Sequence, residues 1–184
     1  YDACAAPGGK AVALEVAGAR VLAGDALHER MGRLSGTTRR AGVAIQCLAA
    51  NLEATPIRAG SVGAVLVDAP CSATGTMRRH PDARWRLHAA VFTRLAQRQM
   101  RLLDAAAPLV RPGGLLIYAA CSLEPEENEQ VVEQFLSRHP ECARAPRGRS
   151  SVPVELLTPA GDFQSLPQRD GIDGAYAARL VRAS

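Results

Sequence analysis

The chain has 184 residues, of which 47% are hydrophobic and 22% charged, and its formal net charge is +4 with a pI near 9.0. No apolar run reaches the ~18–20 residues that a membrane-spanning helix needs, and no segment resembles a signal peptide, so the sequence predicts a soluble cytoplasmic protein without a membrane partner. The five cysteines form no CxxC pair, which argues against a zinc site and a disulfide framework and predicts free thiols and no metal.

Helical and strand-like segments alternate along the chain. The first residues resemble the end of a strand, so we expect the chain to be the later part of a longer protein. After them the sequence predicts a helix over 10–19, a strand over 20–25, a helix over 28–42, strands over 43–51 and 62–68, a loop over 69–86, a helix over 88–110, a break at 111–114, a strand over 115–121, a helix over 125–139, mostly loops over 143–168, and a strand over 175–182. This alternation is typical of βαβ units. The predicted fold is α/β, with a mostly parallel sheet, helices on both faces and three layers, in one domain over 1–184.

Polar or reactive residues follow the predicted strands at the point where each strand ends. In parallel α/β sheets, ligands bind outside the carboxyl ends of the strands. The sequence therefore predicts one site at this edge of the sheet. Its members are the loop 4–10, Asp25, Asn51, Asp68, Cys71 and Cys121.

The loop AAPGGK, residues 5–10, contains two glycines and leads into a helix N-terminus. Glycines let backbone amides approach a ligand closely. The loop lacks the GxGxxG and P-loop spacings, so we do not expect it to bind a nucleotide phosphate. Asp25, 17 residues beyond Gly8, is placed to accept hydrogen bonds from ribose hydroxyls. Loop and acid together predict an adenosine-containing cofactor, and the alternative is an ordinary βα turn.

Cys71 and Cys121 each follow a predicted strand, and each precedes a serine. If the two strands are neighbours, ~4.8 Å apart, both thiols reach one cleft. A lone cysteine at a strand end is more often a small buried hydrophobe. The pair fits an attack on cytosine, because a thiolate added to C6 makes C5 nucleophilic enough to take a methyl group. A second thiol can then help remove the C5 proton, and Asp68 is placed to stabilise charge near ring nitrogen N3.

A basic segment with one tryptophan follows Cys71 in the predicted loop. Arginines pair with phosphate, and a tryptophan can stack on an unpaired base. The alternative for Trp85 is that it fixes the loop to the following helix. The predicted RNA-binding surface consists of Arg78, Arg79, His80, Arg84, Trp85 and Arg86.

Three motifs are similar to those of a known family: DACAAPGGK at 2–10, DAPCSATGTMRRHPD at 68–82 and CSLEPEENE at 121–129. They resemble the RsmB/Sun family of RNA (cytosine-C5)-methyltransferases, in the bacterial branch that acts on small-subunit ribosomal RNA. The resemblance covers nearly the whole chain, is weakest across 142–168, and includes the closing DGAYAARL at 173–180. It implies the Rossmann-like fold of class I methyltransferases, S-adenosylmethionine as cofactor and RNA as partner.

The resemblance also implies a role for each site residue. Cys121 would be the nucleophile that bonds to C6, Cys71 would help release the product, and Asp68 would contact the cytosine close to the cofactor. The residues by themselves leave open which cysteine attacks. The residues implied in cofactor binding are Cys4, Ala5, Ala6, Pro7, Gly8, Gly9, Lys10, Asp25, Asn51 and Asp68.

Two positions depart from the family pattern. Asn51 stands where an aspartate near the adenine is usual, and Ala120 stands where a threonine usually precedes the nucleophile. We expect the chain to be the catalytic domain, with an upstream RNA-binding part outside it.

Four alternatives stay open at this point, and the oligomeric state is not predicted. They are cytosine-C5 methylation of tRNA or another RNA, methylation of an exocyclic amine or a protein side chain, RNA binding without catalysis by an assembly factor, and a thiol–disulfide switch between Cys71 and Cys121.

Overall fold

The computed structural model describes residues 1–79, 81–146 and 152–183, which contain seven strands and five α-helices. Short 3₁₀ turns connect several of these elements. In chain order the elements are α1 (Gly9–Val16), β1 (Leu22–Asp25), α2 (His28–Arg40), β2 (Gln46–Ala49), β3 (Val62–Asp68), α3 (Ala89–Ala106), β4 (Val110–Ala120), α4 (Glu129–Arg138), β5 (Cys142–Arg144), β6 (Phe163–Ser165), α5 (Pro167–Asp170) and β7 (Ala175–Arg182).

β1 pairs with β2, and β3, β4, β7 and β5 pair in that order, with β6 also pairing with β7. Tyr1 and Asp2 lie between β1 and β3, where Asp2 makes parallel bridges to Ala23 and Leu66. The β1–β2 and β3–β4 pairs are parallel, whereas β7 is antiparallel to β4, β5 and β6. The carboxyl ends of β1, β2, β3 and β4 therefore lie along one edge of the sheet, as the sequence predicts.

Helices cover both faces of the sheet. Ala23 and Leu66 are both bridged to Asp2 and share its face, and because side chains alternate along a strand, Val65 lies on the other face. Ala23 packs in a small core with residues of α1 and α2, whereas Val65 packs in a larger core with residues of α3 and α4. The predicted three-layer, Rossmann-like α/β fold is confirmed.

The strand β4 begins earlier than the sequence predicts. The predicted helix over 88–110 ends at Ala106, and the predicted break at 111–114 lies inside β4. A Cβ atom on Gly114 would lie 2.8 Å from the carbonyl oxygen of Gly63 on the neighbouring strand. Glycine therefore permits a close approach of β3 and β4 at a shift in their register, instead of ending an element.

The segment over 143–168, predicted mostly as loops, contains two short strands and the start of a one-turn helix. Both short strands pair with β7, which lies outside this segment and later in the chain. In the part of the chain that the structure describes, none of the helices combines the length and the apolar character needed to cross a membrane. The same residues hold no group of three or more histidine, cysteine or acidic side chains that could ligate a metal ion.

Candidate active site

Two thiols meet at the carboxyl ends of β3 and β4. The strands pair in parallel with Asp68 opposite Ala119, so the loop after each strand begins at the same level of the sheet. Cys71 lies three residues beyond Asp68, and Cys121 directly follows β4. Their sulfur atoms are 3.1 Å apart, in hydrogen-bond contact. The structure thus brings together the two cysteines that the sequence places in one cleft.

The two thiols differ in their acidity. The contact with Cys71 lowers the pKa of Cys121 to about 7, against the opposing effects of burial and of Asp68. The same contact raises the pKa of Cys71, and burial raises it further. Burial also raises the pKa of the nearby Cys4 to about 12. At neutral pH, Cys121 is therefore the thiol of these three that ionises, with Cys71 as the proton donor beside it.

Lys10 contacts the end of β3. Its ammonium group donates a 2.7 Å hydrogen bond to the carboxylate of Asp68, and both side chains remain partly exposed. The sequence places Lys10 only in the cofactor loop. In the structure its charge also contributes to lowering the pKa of Cys121. The one lysine of the chain thus lies between the loop and the thiols.

The loop before α1 is held by backbone contacts to β1. The Ala5 N–H donates to the Gly24 carbonyl at 2.8 Å, and the Ala6 N–H donates to the Asp25 carboxylate at 3.3 Å. Gly8 has φ of 110°, a conformation that side chains disfavour, and it directly precedes α1. The glycine is therefore required for the tight turn into the helix.

Asp25 is buried at the end of β1 and organises its surroundings. Besides Ala6, its carboxylate accepts a 3.0 Å hydrogen bond from the Leu27 N–H and lies 3.4 Å from the guanidinium group of Arg30. Arg30 also donates to the Ala6 carbonyl at 2.9 Å. Asp25 thus fixes the shape of the loop. It also lines a cavity at this edge of the sheet.

A cavity of about 250 Å³ lies beside Asp25 at the end of β1 and Asn51 beyond the end of β2. Asn51 lines it, and its side-chain oxygen accepts a 3.2 Å hydrogen bond from the Glu53 N–H, which caps a short 3₁₀ turn. The lining residues include Ala3, Cys4, Asp25, Leu27, Arg30, Asn51, Pro70 and Arg98. Of the predicted cofactor-binding residues, Cys4, Asp25 and Asn51 line this cavity, whereas residues 5–10 and Asp68 are not among its lining residues.

Asp2 is a buried carboxylate in the same region. It is 1% exposed, and within the described residues neither of its oxygens has a hydrogen-bond partner. Burial, with the nearby Asp68 charge, raises its pKa to about 6. An unsatisfied buried carboxylate is costly, which is why burial raises this pKa, and Asp2 is not among the residues that line the cavity.

Sequence reasoning missed a buried polar cluster beneath the two thiols. Glu127 is completely buried and accepts hydrogen bonds from Ser72 and Ser122, the residues that follow the two cysteines. The sequence signal was present, since each of the two cysteines precedes a serine and four glutamates lie between residues 124 and 129. The sequence predicts a helix that starts at 125. In the structure, α4 begins at Glu129, after a 3₁₀ turn that ends in Glu127.

The basic segment lies beside the site. Arg78 and Arg79 are exposed and contact the carboxylate of Asp173 at 3.5 and 2.6 Å. Trp85 is 80% exposed, with the Arg84 guanidinium group 4.9 Å from the centre of its ring. Its ring therefore does not serve to fix the loop by burial. His80, also predicted to bind RNA, lies outside the described residues.

One protein-family model matches nearly the whole chain. The model of the family described as 16S rRNA methyltransferase RsmB/F matches residues 1–181. The chain belongs to this family. The resemblance drawn from the three sequence motifs is thereby confirmed.

Individual RsmB/F relatives are longer than this chain. The ribosomal RNA small subunit methyltransferase B of Erwinia tasmaniensis is 40% identical over 185 residues, which cover 98% of this chain and 41% of that protein. The protein of the same name from Yersinia pseudotuberculosis is 37% identical with the same coverage. The chain therefore spans about two fifths of the length of these relatives.

Solved structures agree with the RsmB/F assignment. A crystal structure of PH0851 matches with a TM-score of 0.86 at 35% identity, over 97% of this chain and 41% of that one. The structure of NSun6 from Pyrococcus horikoshii with SFG matches with a TM-score of 0.82 at 24% identity, over 100% of this chain and 47% of that one. The second match supports the fold alone.

Proposed function

We propose that this RsmB/F protein transfers a methyl group from S-adenosylmethionine to C5 of a cytosine in RNA, with small-subunit ribosomal RNA as the substrate. The observation that carries the proposal is the contact between Cys71 and Cys121, of which one ionises near neutral pH. A methyltransferase that acts on an exocyclic amine needs no such pair of thiols. The names of the curated relatives support ribosomal RNA as the class of substrate.

The residues around the cavity fit S-adenosylmethionine. The cofactor carries an ammonium group and ribose hydroxyls, and the cavity offers the carboxylate of Asp25 as an acceptor. The amide of Asn51 can hydrogen-bond but adds no charge. When bound, the cofactor supplies the methyl group. The chain's own part is to hold it between the glycine loop and the end of β2.

Cys121 performs the first step. Its thiolate adds to C6 of the cytosine and forms a carbon–sulfur bond, and the electron pair of the C5–C6 double bond moves into the ring. Charge then develops near ring nitrogen N3, where an acidic proton is stabilising. The Lys10 ammonium group, which donates to Asp68 and lies next to Cys121, is the hydrogen-bond donor available for this purpose.

Cys71 performs the last step. Once Cys121 is bonded to carbon, it no longer carries the negative charge that raises the pKa of Cys71. Cys71 then loses its thiol proton to water more readily, and the resulting thiolate is a base. After C5 has bonded to the methyl group that the cofactor would supply, the Cys71 thiolate takes the C5 proton, that electron pair forms the C5–C6 double bond again, and the carbon–sulfur bond breaks to release Cys121 as a thiolate. The change in the acidity of Cys71 thus follows the course of the reaction.

The test is to trap the covalent adduct. Cys71→Ala protein, incubated with small-subunit ribosomal RNA and S-adenosylmethionine, should form a protein–RNA species that survives a denaturing gel, because the release step is lost. The adduct should vanish when Cys121→Ala is added. Cys47→Ser is the matched control, since Cys47 is an exposed cysteine away from the thiol pair, and this change should leave the adduct intact.

Two results would contradict the proposal. Methyl transfer that survives Cys121→Ala, without any adduct, would indicate an enzyme that methylates an exocyclic amine. RNA binding without either adduct or transfer would indicate an assembly factor without catalysis. Adduct formation with tRNA in place of ribosomal RNA would keep the chemistry and change the substrate.

A further inference from the structure

Glu127 connects the two cysteine loops through its buried side chain. Its carboxylate accepts hydrogen bonds from the Ser72 N–H at 3.0 Å, the Ser122 hydroxyl at 2.7 Å and the Gln99 amide at 2.9 Å. The Ser72 hydroxyl donates a further, short hydrogen bond to it. The residue is 0% exposed. One side chain thus contacts the loop after β3, the loop after β4 and helix α3.

This arrangement satisfies the carboxylate without a counter-ion. A carboxylate has about four acceptor sites, and the structure provides four donors. Among residues 1–79, 81–146 and 152–183, no arginine, lysine or histidine forms an ion pair with Glu127. A buried charge held by hydrogen bonds alone is stable only while all of them are made. The cluster therefore tolerates little movement of either loop.

The donors of this cluster are adjacent in sequence to the thiols. Ser72 follows Cys71 and Ser122 follows Cys121, and the two serine hydroxyls also contact each other at 3.2 Å. The Gly75 N–H donates to the Cys121 carbonyl at 3.0 Å, which adds a direct link between the loops. The contact between the Cys71 and Cys121 sulfur atoms is thus adjacent to the hydrogen bonds that both loops make to Glu127.

We propose that Glu127 is a positioning residue that keeps the thiols of Cys71 and Cys121 in contact by binding Ser72 and Ser122 together. The consequence of this positioning for catalysis rests on the proposed function, in which both thiols must reach the same cytosine. One carboxylate then controls both the attack by Cys121 and the release by Cys71. The effect on the thiols themselves needs no RNA and can be tested without it.

The experiment measures the reactivity of Cys121 toward iodoacetamide as a function of pH, with each cysteine followed by peptide mass spectrometry. In Glu127→Gln protein, loss of the contact with Cys71 removes the main cause of the lowered pKa of Cys121. Alkylation of Cys121 near pH 7 should therefore slow by about tenfold, the effect of losing one hydrogen bond to a charged group. Removing the negative charge of Glu127 without separating the thiols would act in the opposite direction, so the sign of the change is diagnostic.

A double-mutant cycle separates positioning from general damage. Cys71→Ala should slow alkylation of Cys121 by itself, and adding Glu127→Gln should produce no further loss, because the contact is already absent. Glu126→Gln removes the same charge from the exposed neighbouring residue and should leave the pH profile unchanged. Additive losses in the cycle, or an unchanged profile in folded Glu127→Gln protein, would overturn the proposal.

Two milder variants decide the matter if Glu127→Gln fails to fold by circular dichroism. Ser72→Ala and Ser122→Ala each remove one loop's hydroxyl from the carboxylate and should slow alkylation of Cys121 by about threefold, less than Glu127→Gln, because the other donors to the carboxylate remain. Unchanged alkylation in both would refute the inference. In a separate methylation assay, Ser122→Ala should lower kcat while leaving the KM for S-adenosylmethionine unchanged. Failure of the alkylation test leaves the methyltransferase proposal standing, and the adduct test decides that proposal independently.

Discussion

At the residue scale, two neighbours of opposite charge act on Cys121. Lys10 lowers its pKa and Asp68 raises it, and the 2.7 Å contact between them holds both close to the thiol. Replacing Lys10 with Met leaves the Asp68 charge uncompensated. We expect the pKa of Cys121 to rise, so that the thiolate present at pH 7 falls by about threefold, a modest change because both side chains are partly exposed and screened by solvent.

The measurement is a pH titration of thiolate absorbance in the ultraviolet, with the signal of Cys121→Ser protein subtracted. Lys10→Arg keeps the positive charge and should retain most of the lowered pKa, which makes it the matched control. A titration curve that is identical in Lys10→Met and unmodified protein would show that Lys10 does not contribute to the lowered pKa of Cys121.

Glu127 and Asn51 show where sequence reasoning about single residues succeeds and where it ends. Asn51 follows a predicted strand, and that position alone places it in the cavity with Asp25. Glu127 follows no strand, and its role depends on two serines that lie 55 and 5 residues away. A contact of this kind requires knowing that β3 and β4 are neighbours, which composition and periodicity do not reveal.

At the element scale, two chain segments cross closely beside the site. The Gly174 N–H donates to the Gly75 carbonyl at 2.8 Å. A Cβ atom on Gly174 would lie 2.9 Å from the Gly75 Cα and would overlap the side chain of Leu123. Gly174→Ala should therefore force apart the loop after β3 and the start of β7, and should lower the free energy of unfolding by roughly 1–3 kcal/mol, as overpacking does.

Urea denaturation followed by circular dichroism measures this loss. Gly32→Ala is the matched control, because Gly32 lies in α2 with no atom within 4 Å of its added Cβ. That change should raise the free energy of unfolding by about 1 kcal/mol through helix propensity. Equal stability of the Gly174→Ala and unmodified proteins would mean that the crossing relaxes without strain.

The elements themselves could be predicted where local pattern decides them. The amphipathic helix over 28–42 and the apolar strand over 62–68 appear within two residues of their expected ends. The extension of β4 into the segment 111–114 could not be predicted, because glycine and proline normally end an element and here permit a close strand contact. The short strands over 142–144 and 163–165 depend on β7, which comes later in the chain.

At the scale of the whole molecule, the net charge of +4 is less informative than where the charges lie. The negative groups that the structure describes near the site include Asp2, Asp25 and Asp68, close to the cavity. The side chains of Arg78, Arg79 and Arg84 are exposed to solvent beside it. This separation fits a cofactor held by acceptors and an RNA held by cations, so charge divides the two ligands between neighbouring surfaces.

The exposed Trp85 and the nearby arginines lead to two predictions about RNA affinity. Trp85→Ala should weaken binding of a single-stranded ribosomal RNA fragment by about tenfold through loss of base stacking, with no change in the salt dependence. Asp173→Asn should strengthen binding, because Arg78 and Arg79 lose their internal partner and become available to phosphates.

Filter binding at several salt concentrations distinguishes these two effects. The logarithm of the affinity should fall more steeply with the logarithm of salt in Asp173→Asn protein, by about 0.9 for each phosphate gained on duplex-like RNA and about 0.7 on single strands. Val16→Ala, at an exposed apolar residue of α1, should change neither affinity nor slope. If Trp85→Ala altered the slope while Asp173→Asn did not, the arginines would be structural partners of Asp173, and the RNA would have to bind through a different surface.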